Sequence, residues 1–176
     1  RIGLLPLSNS SLEIGISAKN GKAGDVTEEE YKNIAATAYA VDLNYVKSIS
    51  SLKSIIGVRG QFNKVAVDKA NYLDELGNPY TFDNTLKNYY AQFSFRPALA
   101  ENIFLKNLEF LYRYNSLTSP AYAEWGSKDA AGKGGEVTRS DFGLAYWLNW
   151  KTGLRMAYET TKMPDKTKNK EFLVRF

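Results

Sequence analysis

Apolar and polar residues alternate with a period of two along most of this 176-residue chain, and no other feature constrains its fold as strongly. Successive side chains of a β-strand point to opposite faces, so this alternation predicts strands with one apolar face. The alternating segments are 12–18, 39–45, 56–63, 89–96, 108–114, 141–150, 154–161 and 171–176. With 1–5 as the tail of another strand, the sequence predicts a single all-β domain over 1–176 with about nine strands.

The connections between these segments are predicted to alternate between short and long to the end of the chain. Long loops are expected at 67–86 and 118–138, and a tight hairpin at 151–153 would use Gly153 for positive φ. Outer-membrane β-barrels show this asymmetry between short periplasmic turns and long external loops. The pattern therefore favours a transmembrane antiparallel β-barrel over a soluble β-sandwich.

The composition excludes several classes of chemistry. The chain has no cysteine and no histidine, which removes disulfides, the usual zinc ligand, the usual general base and a Ser-His triad. We therefore expect no enzyme, no catalytic residue, no metal site and no cofactor. The formal charge of +4 is mild, and the lysines lie mostly in predicted loops, so nucleic acid is not an expected partner.

The last six residues predict how the sheet would end. Phe172, Val174 and Phe176 share one side of an extended segment, and a terminal Phe after alternating apolar residues resembles the closing strand of bacterial outer-membrane proteins. If the closing strand runs to the periplasm, counting back makes the segment at 1–5 run the same way. An even-stranded barrel then lacks at least one strand before Arg1. The alternative is a complete eight-stranded barrel with 1–6 as a leader.

The face opposite the apolar one carries charges of both signs and would line a lumen. These residues are Arg59, Arg96, Arg113, Arg139, Arg155 and Arg175, with Glu13, Asp42, Glu109, Asp141 and Glu159. Because acids are interleaved with cations, the favoured interpretation is a ladder of cross-strand pairs that holds the wall's shape. The second interpretation is an arginine-lined path for anions, with Arg59, Arg96, Arg113 and Arg155 as the anion contacts.

Aromatic residues with apolar-face parity cluster near the predicted strand ends. They are Tyr39, Tyr45, Phe62, Tyr89, Phe95, Tyr114, Trp150 and Phe176. An ordinary β-sheet core also uses Tyr and Phe, but it gives no reason for their position at the ends. We therefore interpret them as a girdle at the headgroup level, with outer-membrane lipid and lipopolysaccharide as partners.

Two stretches resemble the phosphate-selective porin O/P family of Bacteroidota. Residues 1–17 (RIGLLPLSNSSLEIGIS) resemble an internal strand-turn-strand, and DFGLAYWLNW at 141–150 through LRMAYE at 154–159 to Phe176 resembles the C-terminal hairpins. The resemblance implies the C-terminal portion of a barrel of about sixteen strands, often a homotrimer, in the outer membrane. It also implies passive diffusion of small anions such as phosphate. The family's constriction loop and basic ladder match no residue here.

Two functions follow as hypotheses. The first is a porin-like channel with no chemical step, whose lumen charges and loops sort small solutes. The alternative is a structural or accessory barrel subunit with a plugged lumen, bound to other outer-membrane proteins through the loops at 67–86 and 118–138.

Overall fold

The fold is dominated by one antiparallel sheet of nine strands. The computed structural model describes residues 1–7, 11–23, 34–68, 72–73, 77, 79–80, 84–120, 135–149 and 152–175. The strands of the sheet are β1 (Ile2–Leu4), β2 (Leu12–Ala23), β3 (Ile34–Ile49), β4 (Ser54–Val67), β7 (Asn84–Arg96), β8 (Leu108–Ser119), β9 (Gly135–Trp147), β10 (Gly153–Lys162) and β11 (Lys168–Arg175). A separate two-stranded hairpin pairs β5 (Tyr72–Leu73) with β6 (Pro79–Tyr80).

The strands follow one another in space in chain order, as a meander. Each predicted segment contains a strand, and most strands are longer than predicted. The segment predicted at 141–150 ends as a strand at Trp147, and residues 150 and 176 lie outside the described residues. β3 spans Ile34–Ile49 where alternation predicted 39–45, because backbone pairing with β2 and β4 continues through the alanine-rich stretch at 35–40. The fold is all-β with antiparallel strands, as predicted, and α1 (Ile103–Lys106) is a single helical turn.

The sheet forms a single layer and does not close. Among the described residues, substantial packing joins only neighbouring strands, and no second layer covers either face. β11 has a free edge, and β1 pairs with β2 only from Ile14 to Ile16. The predicted β-sheet is therefore present, whereas a closed barrel is not formed by these nine strands alone.

The connections lie at two ends of the sheet. We name the end with connections 5–11, 50–53, 97–107 and 148–152 the turn end, and the end with 24–33, 68–83, 120–134 and 163–167 the loop end. The predicted alternation of short and long fails twice. The connection at 97–107 is long and contains the helical turn α1 (Ile103–Lys106), and the last connection, 163–167, is as short as 148–152.

The last loop-end connection is short because β10 and β11 stay paired as far as Lys162 and Lys168. Asp165 then closes the turn, since its carboxylate accepts the backbone N–H of Thr167 at 2.8 Å. Lys166 adopts a left-handed conformation with φ of 70°. Such tight closure leaves no room for the longer loop that the sequence predicted.

The predicted role of Gly153 is wrong. Gly153 is a strand residue paired with Trp147, and its φ is not positive. The turn lies one step earlier, where the Asn149 side chain accepts the backbone N–H of Thr152 at 2.9 Å. A Cβ at 153 would lie 3.1 Å from the Tyr146 carbonyl oxygen, so a larger residue there requires a small shift of that backbone.

Within the long loop predicted at 67–86, the sequence Gly77-Asn-Pro79 is a turn signal, and Gly77 is left-handed. Gly77 has φ of 79°, which glycine adopts without steric cost, and it lies between the paired β5 and β6. Residues 27–30 (TEEE), whose capping-box spacing predicts one helical turn, lie outside the described residues.

The register places the described strand residues of the apolar pattern on one side of the sheet. Val58 lies opposite Tyr45 on one neighbour and Phe93 on the other, and Phe142 lies opposite both Tyr112 and Tyr158. Directly opposed residues of antiparallel strands share a face. The sheet therefore has one continuous apolar face and one charged face, as the alternation predicted.

No helix among the described residues is long and apolar enough to span a membrane.

Candidate functional site

The apolar face is uncovered across most of the sheet. Phe142 is 60% exposed and Phe172 64%, values that belong to a protein surface rather than to a core. Other large residues of this face with substantial exposure are Ile16, Tyr39, Val41, Leu43, Val58, Phe62, Tyr89, Phe93, Phe110, Tyr112, Tyr158 and Val174. An exposed apolar surface that crosses so many strands marks a face that meets lipid or another protein.

An aromatic residue ends the apolar face on seven consecutive strands, on the side of the loop end. We name this set the aromatic rim: Tyr39, Phe62, Tyr89, Tyr114, Phe142, Tyr158 and Phe172. The next residue on the same face is polar or charged on every one of these strands: Thr37, Lys64, Lys87, Ser116, Ser140, Thr160 and Lys170. The rim is thus a sharp border between apolar and hydrophilic surface.

The aromatic rim crosses the strands obliquely. At three of its six strand interfaces the rim residues pair directly, as Phe62 does with Tyr89. At the other three, the following rim residue is displaced by two positions, always toward the turn end. The mean displacement is one residue per strand. With a rise of roughly 3.3 Å per residue and roughly 4.8 Å between strands, the strands lean about 35° from the perpendicular to the rim.

Most of the predicted girdle residues lie at the borders of the apolar face. Tyr39, Phe62, Tyr89 and Tyr114 belong to the aromatic rim, whereas Tyr45 and Phe95 lie nearer the turn end. Trp150 and Phe176 lie outside the described residues. Ring contacts join neighbours along this face, such as Tyr112 with Phe142 at 4.7 Å between centroids.

The charged face contains a network of ion pairs across β8, β9 and β10. Asp141 accepts hydrogen bonds from Arg113 Nε at 3.0 Å and from Arg139 Nε at 2.9 Å. Arg139 also pairs with Glu159, whose oxygen accepts the Thr161 hydroxyl at 3.4 Å. Asp141 and Glu159 are buried, whereas Arg113 and Arg139 are about 40% exposed. The two acids and the two arginines cancel in charge, so the network is neutral. Cross-strand pairing of the kind that the sequence favoured therefore forms at Arg113 and Arg139, two of the six arginines in the predicted ladder.

A second ion-pair group lies on β2 and β3. Arg1 donates to Asp42 at 2.7 Å and to Glu13 at 3.2 Å. Gly15 lies beneath it, because a Cβ at that position would collide with the Asp42 carboxylate. This pair is more exposed than the Asp141 network, so it contributes less to stability.

Besides Arg96, three arginines of the charged face have no ion-pair partner among the described residues: Arg59, Arg155 and Arg175. Arg59 donates to Asn44 Oδ1 at 3.1 Å, which leaves its charge uncompensated. Arg155 lies over the Trp147 ring, with its guanidinium carbon 5.2 Å from the centroid. Arg175 is directly opposite Arg155 in the register, and like charges in that position repel.

These arginines share one concavity of about 520 Å³ on the charged face. Arg59, Arg113, Arg155 and Arg175 line it, together with Glu109 and others. In a flat sheet β4 and β11 would be roughly 24 Å apart, farther than an arginine side chain reaches. We infer that the sheet curves with its charged face inward. This curvature turns the charged face into a basin with excess positive charge.

The structure distinguishes among the four predicted anion contacts. Arg59, Arg113 and Arg155 line the basin, but the charge of Arg113 is already matched by Asp141. Arg96 lies beside it, with its guanidinium carbon 5.7 Å from the Trp147 centroid and its Nε donating to the Lys106 carbonyl. Anion contact by these residues stays a prediction, for which Arg59 and Arg155 have the most suitable surroundings.

Sequence reasoning missed the role of Trp147. Its indole lies close to Arg96 and Arg155, and its Nε1–H donates to Glu109 Oε2 at 2.8 Å. A cation over an aromatic face gains electrostatic stabilisation, so the ring fixes the position of the arginines. The available signal was a bulky aromatic at charged-face parity, among glycine and alanine at 143 and 145.

The other motifs considered provide no site. Glu109 binds Trp147 and Glu159 binds Arg139, so these carboxylates have separate structural partners. Within the described ranges, no group of three or more potential metal ligands occurs.

Comparison with known protein families, curated proteins and solved structures finds no match to this chain.

Proposed function

We propose that the chain forms part of the wall of a porin-like channel in the bacterial outer membrane, through which small anions such as phosphate diffuse passively. The observation that carries the proposal is the pair of faces on one single-layered sheet. The apolar face is exposed and ends at an aromatic rim, and the opposite face is charged. In water the apolar face would drive aggregation, whereas acyl chains would solvate it.

The oblique aromatic rim supports a membrane orientation. Membrane β-barrels have strands tilted by about 35–45° and girdles of aromatic residues at the interfaces. The aromatic rim is defined by residue type alone, without reference to strand tilt. The tilt of about 35° obtained from its register nevertheless falls in this range. A sheet that packs on a second sheet has no reason to place aromatic residues along one straight line across its strands. The agreement therefore favours a lipid-facing wall.

A wall in lipid also requires paired edges. Unpaired backbone N–H and C=O groups in the hydrocarbon region cost several kcal/mol each, so open sheets do not span membranes. The free edges of β11 and of β1–β2 must then pair with further strands. The proposal thus includes a closed barrel larger than these nine strands, in agreement with the porin resemblance.

The charged face would line the water-filled lumen. The Asp141 network is neutral and stiffens the wall, while Arg59, Arg155 and Arg175 leave excess positive charge in the basin. Fixed positive charge lowers the barrier for anions and raises it for cations. No bond is made or broken in this function.

Planar-bilayer recordings test the proposal, with this chain reconstituted in the closed barrel that supplies the strands paired with its free edges. We expect step-like conductance and a reversal potential that shows anion preference under a salt gradient. Arg155→Gln should reduce that preference. The matched control, Lys162→Gln, removes the same charge from the same strand on the opposite face and should leave selectivity unchanged. Absence of conductance, or equal effects of the two variants, would overturn the proposal.

One observation favours the second candidate, an accessory barrel subunit with a plugged lumen. Beyond the aromatic rim, the charged face becomes apolar near the loop end, at Val65, Leu86, Leu117 and Val137. Leu86 and Leu117 are exposed, so this patch is suited to a covering protein. Co-purification with a stoichiometric partner, together with no conductance, would select this candidate over the channel.

A further inference from the structure

We propose that the turn end of the sheet carries a membrane-interface anchor, formed by α1 and the connection around it, which inserts into the lipid leaflet next to the wall. The inference rests on the proposed membrane function and adds a lipid-binding surface to it. The anchor consists of Leu52, Leu99, Ile103, Phe104 and Leu105.

The first reason is exposure at a position where turns are ordinarily polar. Ile103 is 71% exposed, Phe104 58% and Leu52 56%, and Leu99 and Leu105 are exposed as well. Scattered apolar surface residues need no explanation, but these belong to two neighbouring connections. Together they form an apolar patch outside the sheet.

The second reason is continuity with the apolar face. The Phe104 ring lies 5.3 Å from the Tyr146 ring, between centroids. Tyr146 is opposite Leu108 and Leu154, so it belongs to the apolar face at its border with the turn end. A surface that continues the face proposed to meet lipid is expected to meet the same lipid. This continuity favours lipid over a protein as the occupant.

The third reason is that the patch is held in place. Asn102 caps α1, and its side-chain oxygen accepts the backbone N–H groups of Phe104 at 2.9 Å and Leu105 at 3.2 Å. The two connections are joined by a backbone hydrogen bond from Leu99 N to Lys53 O at 3.0 Å. An ordered patch loses little conformational entropy when it inserts into the interface.

The fourth reason is the chemistry at the margin of the patch. Lys106 ends α1 and is exposed beside the apolar side chains. Lys53 lies in the neighbouring connection, paired with Glu101 at 2.6 Å. Lysines at the edge of an apolar surface suit lipid phosphates, because the stem stays in the apolar layer while the ammonium reaches the headgroups.

Nitroxide labelling tests the anchor directly, because the full chain contains no cysteine and single labels are unambiguous. Ile103→Cys, Glu101→Cys and Val58→Cys would each be labelled after reconstitution into vesicles of phosphatidylcholine and phosphatidylglycerol. Collision with oxygen, which concentrates in the membrane, is compared with collision with a water-soluble nickel complex. Val58 reports the apolar face, and Glu101 reports the aqueous side of the same connection.

We expect the oxygen-to-nickel ratio at position 103 to lie between the high ratio at 58 and the low ratio at 101. A ratio at 103 equal to that at 101, with a high ratio at 58, would overturn the anchor and leave the channel proposal standing. Shielding of position 103 from both reagents would also overturn it, since the patch would then be covered by protein. A low ratio at 58 would overturn both proposals. If Ile103→Cys fails to fold, Leu105→Cys repeats the test.

Discussion

Replacement of Asp141 by asparagine should destabilise the sheet more than any other single charge change on the charged face. Asp141 is buried and accepts hydrogen bonds from both Arg113 and Arg139. Removal of one partner from a buried ion pair typically costs 3–5 kcal/mol. Both arginines are about 40% exposed, so water replaces part of the lost interaction. With this screening, we expect Asp141→Asn to lower the free energy of unfolding by about 2 kcal/mol.

Asp42→Asn is the matched control. It removes the same charge from a pair whose arginine, Arg1, is more exposed, so the expected loss is clearly smaller than that in Asp141→Asn. Urea unfolding in lipid vesicles, followed by tryptophan fluorescence, gives both free energies. A double-mutant cycle of Asp141→Asn with Arg113→Gln should show a coupling of about 1 kcal/mol. Equal losses in Asp141→Asn and Asp42→Asn would refute a stabilising role for the buried network.

Two further predictions concern the loop end. Gly135→Ala should lower the free energy of unfolding by about 1–2 kcal/mol or more, because φ is 139° and the new Cβ would lie 2.7 Å from Pro164 Cβ. The control is Gly21→Ala, whose new Cβ meets nothing within 4 Å. It should be neutral or slightly stabilising in the same urea assay. Hydrogen bonds from Thr167 lower the pKa of Asp165, so the 163–167 turn should be fully ordered above the carboxyl's ordinary pKa. The protection factor of the Thr167 amide, which compares its exchange rate with that of an unstructured peptide at the same pH, should fall as the pH drops through the lowered pKa. Asp165→Asn should abolish that fall. A protection factor that does not change with pH in the parent chain would contradict the prediction.

The faces of the sheet could be predicted from the sequence because side-chain direction follows from a period of two alone. Alternation alone places Phe62 and Tyr89 on the same face, and the register makes them direct partners. The strand ends were less predictable. Residues 34–38 are largely alanine and show no contrast between faces, yet pairing with β2 includes them in β3.

The site was less predictable than the fold because it depends on the register between strands. Arg155 and Arg175 are neighbours only because Met156 pairs with Val174, which their spacing in the chain does not reveal. Trp147 lies beside Arg96 because the C-terminal ends of β7 and β9 flank the first residues of β8, and the sequence does not reveal that arrangement. The helical turn α1 had a local signal, Asn102 as an N-cap, but four residues are too few for helical periodicity.

The central claim is that acyl chains, not protein, cover the apolar face, and a nitroxide scan along β7 tests it most directly. Single cysteines at each position from 89 to 95 would be labelled in lipid vesicles; Phe93 lies on the apolar face and Ser94 on the charged face. The account predicts that oxygen accessibility alternates with a period of two, highest at 89, 91, 93 and 95, while nickel accessibility alternates in the opposite phase. Uniform access of the nickel complex to both faces, or shielding of Phe93 from both reagents, would contradict it.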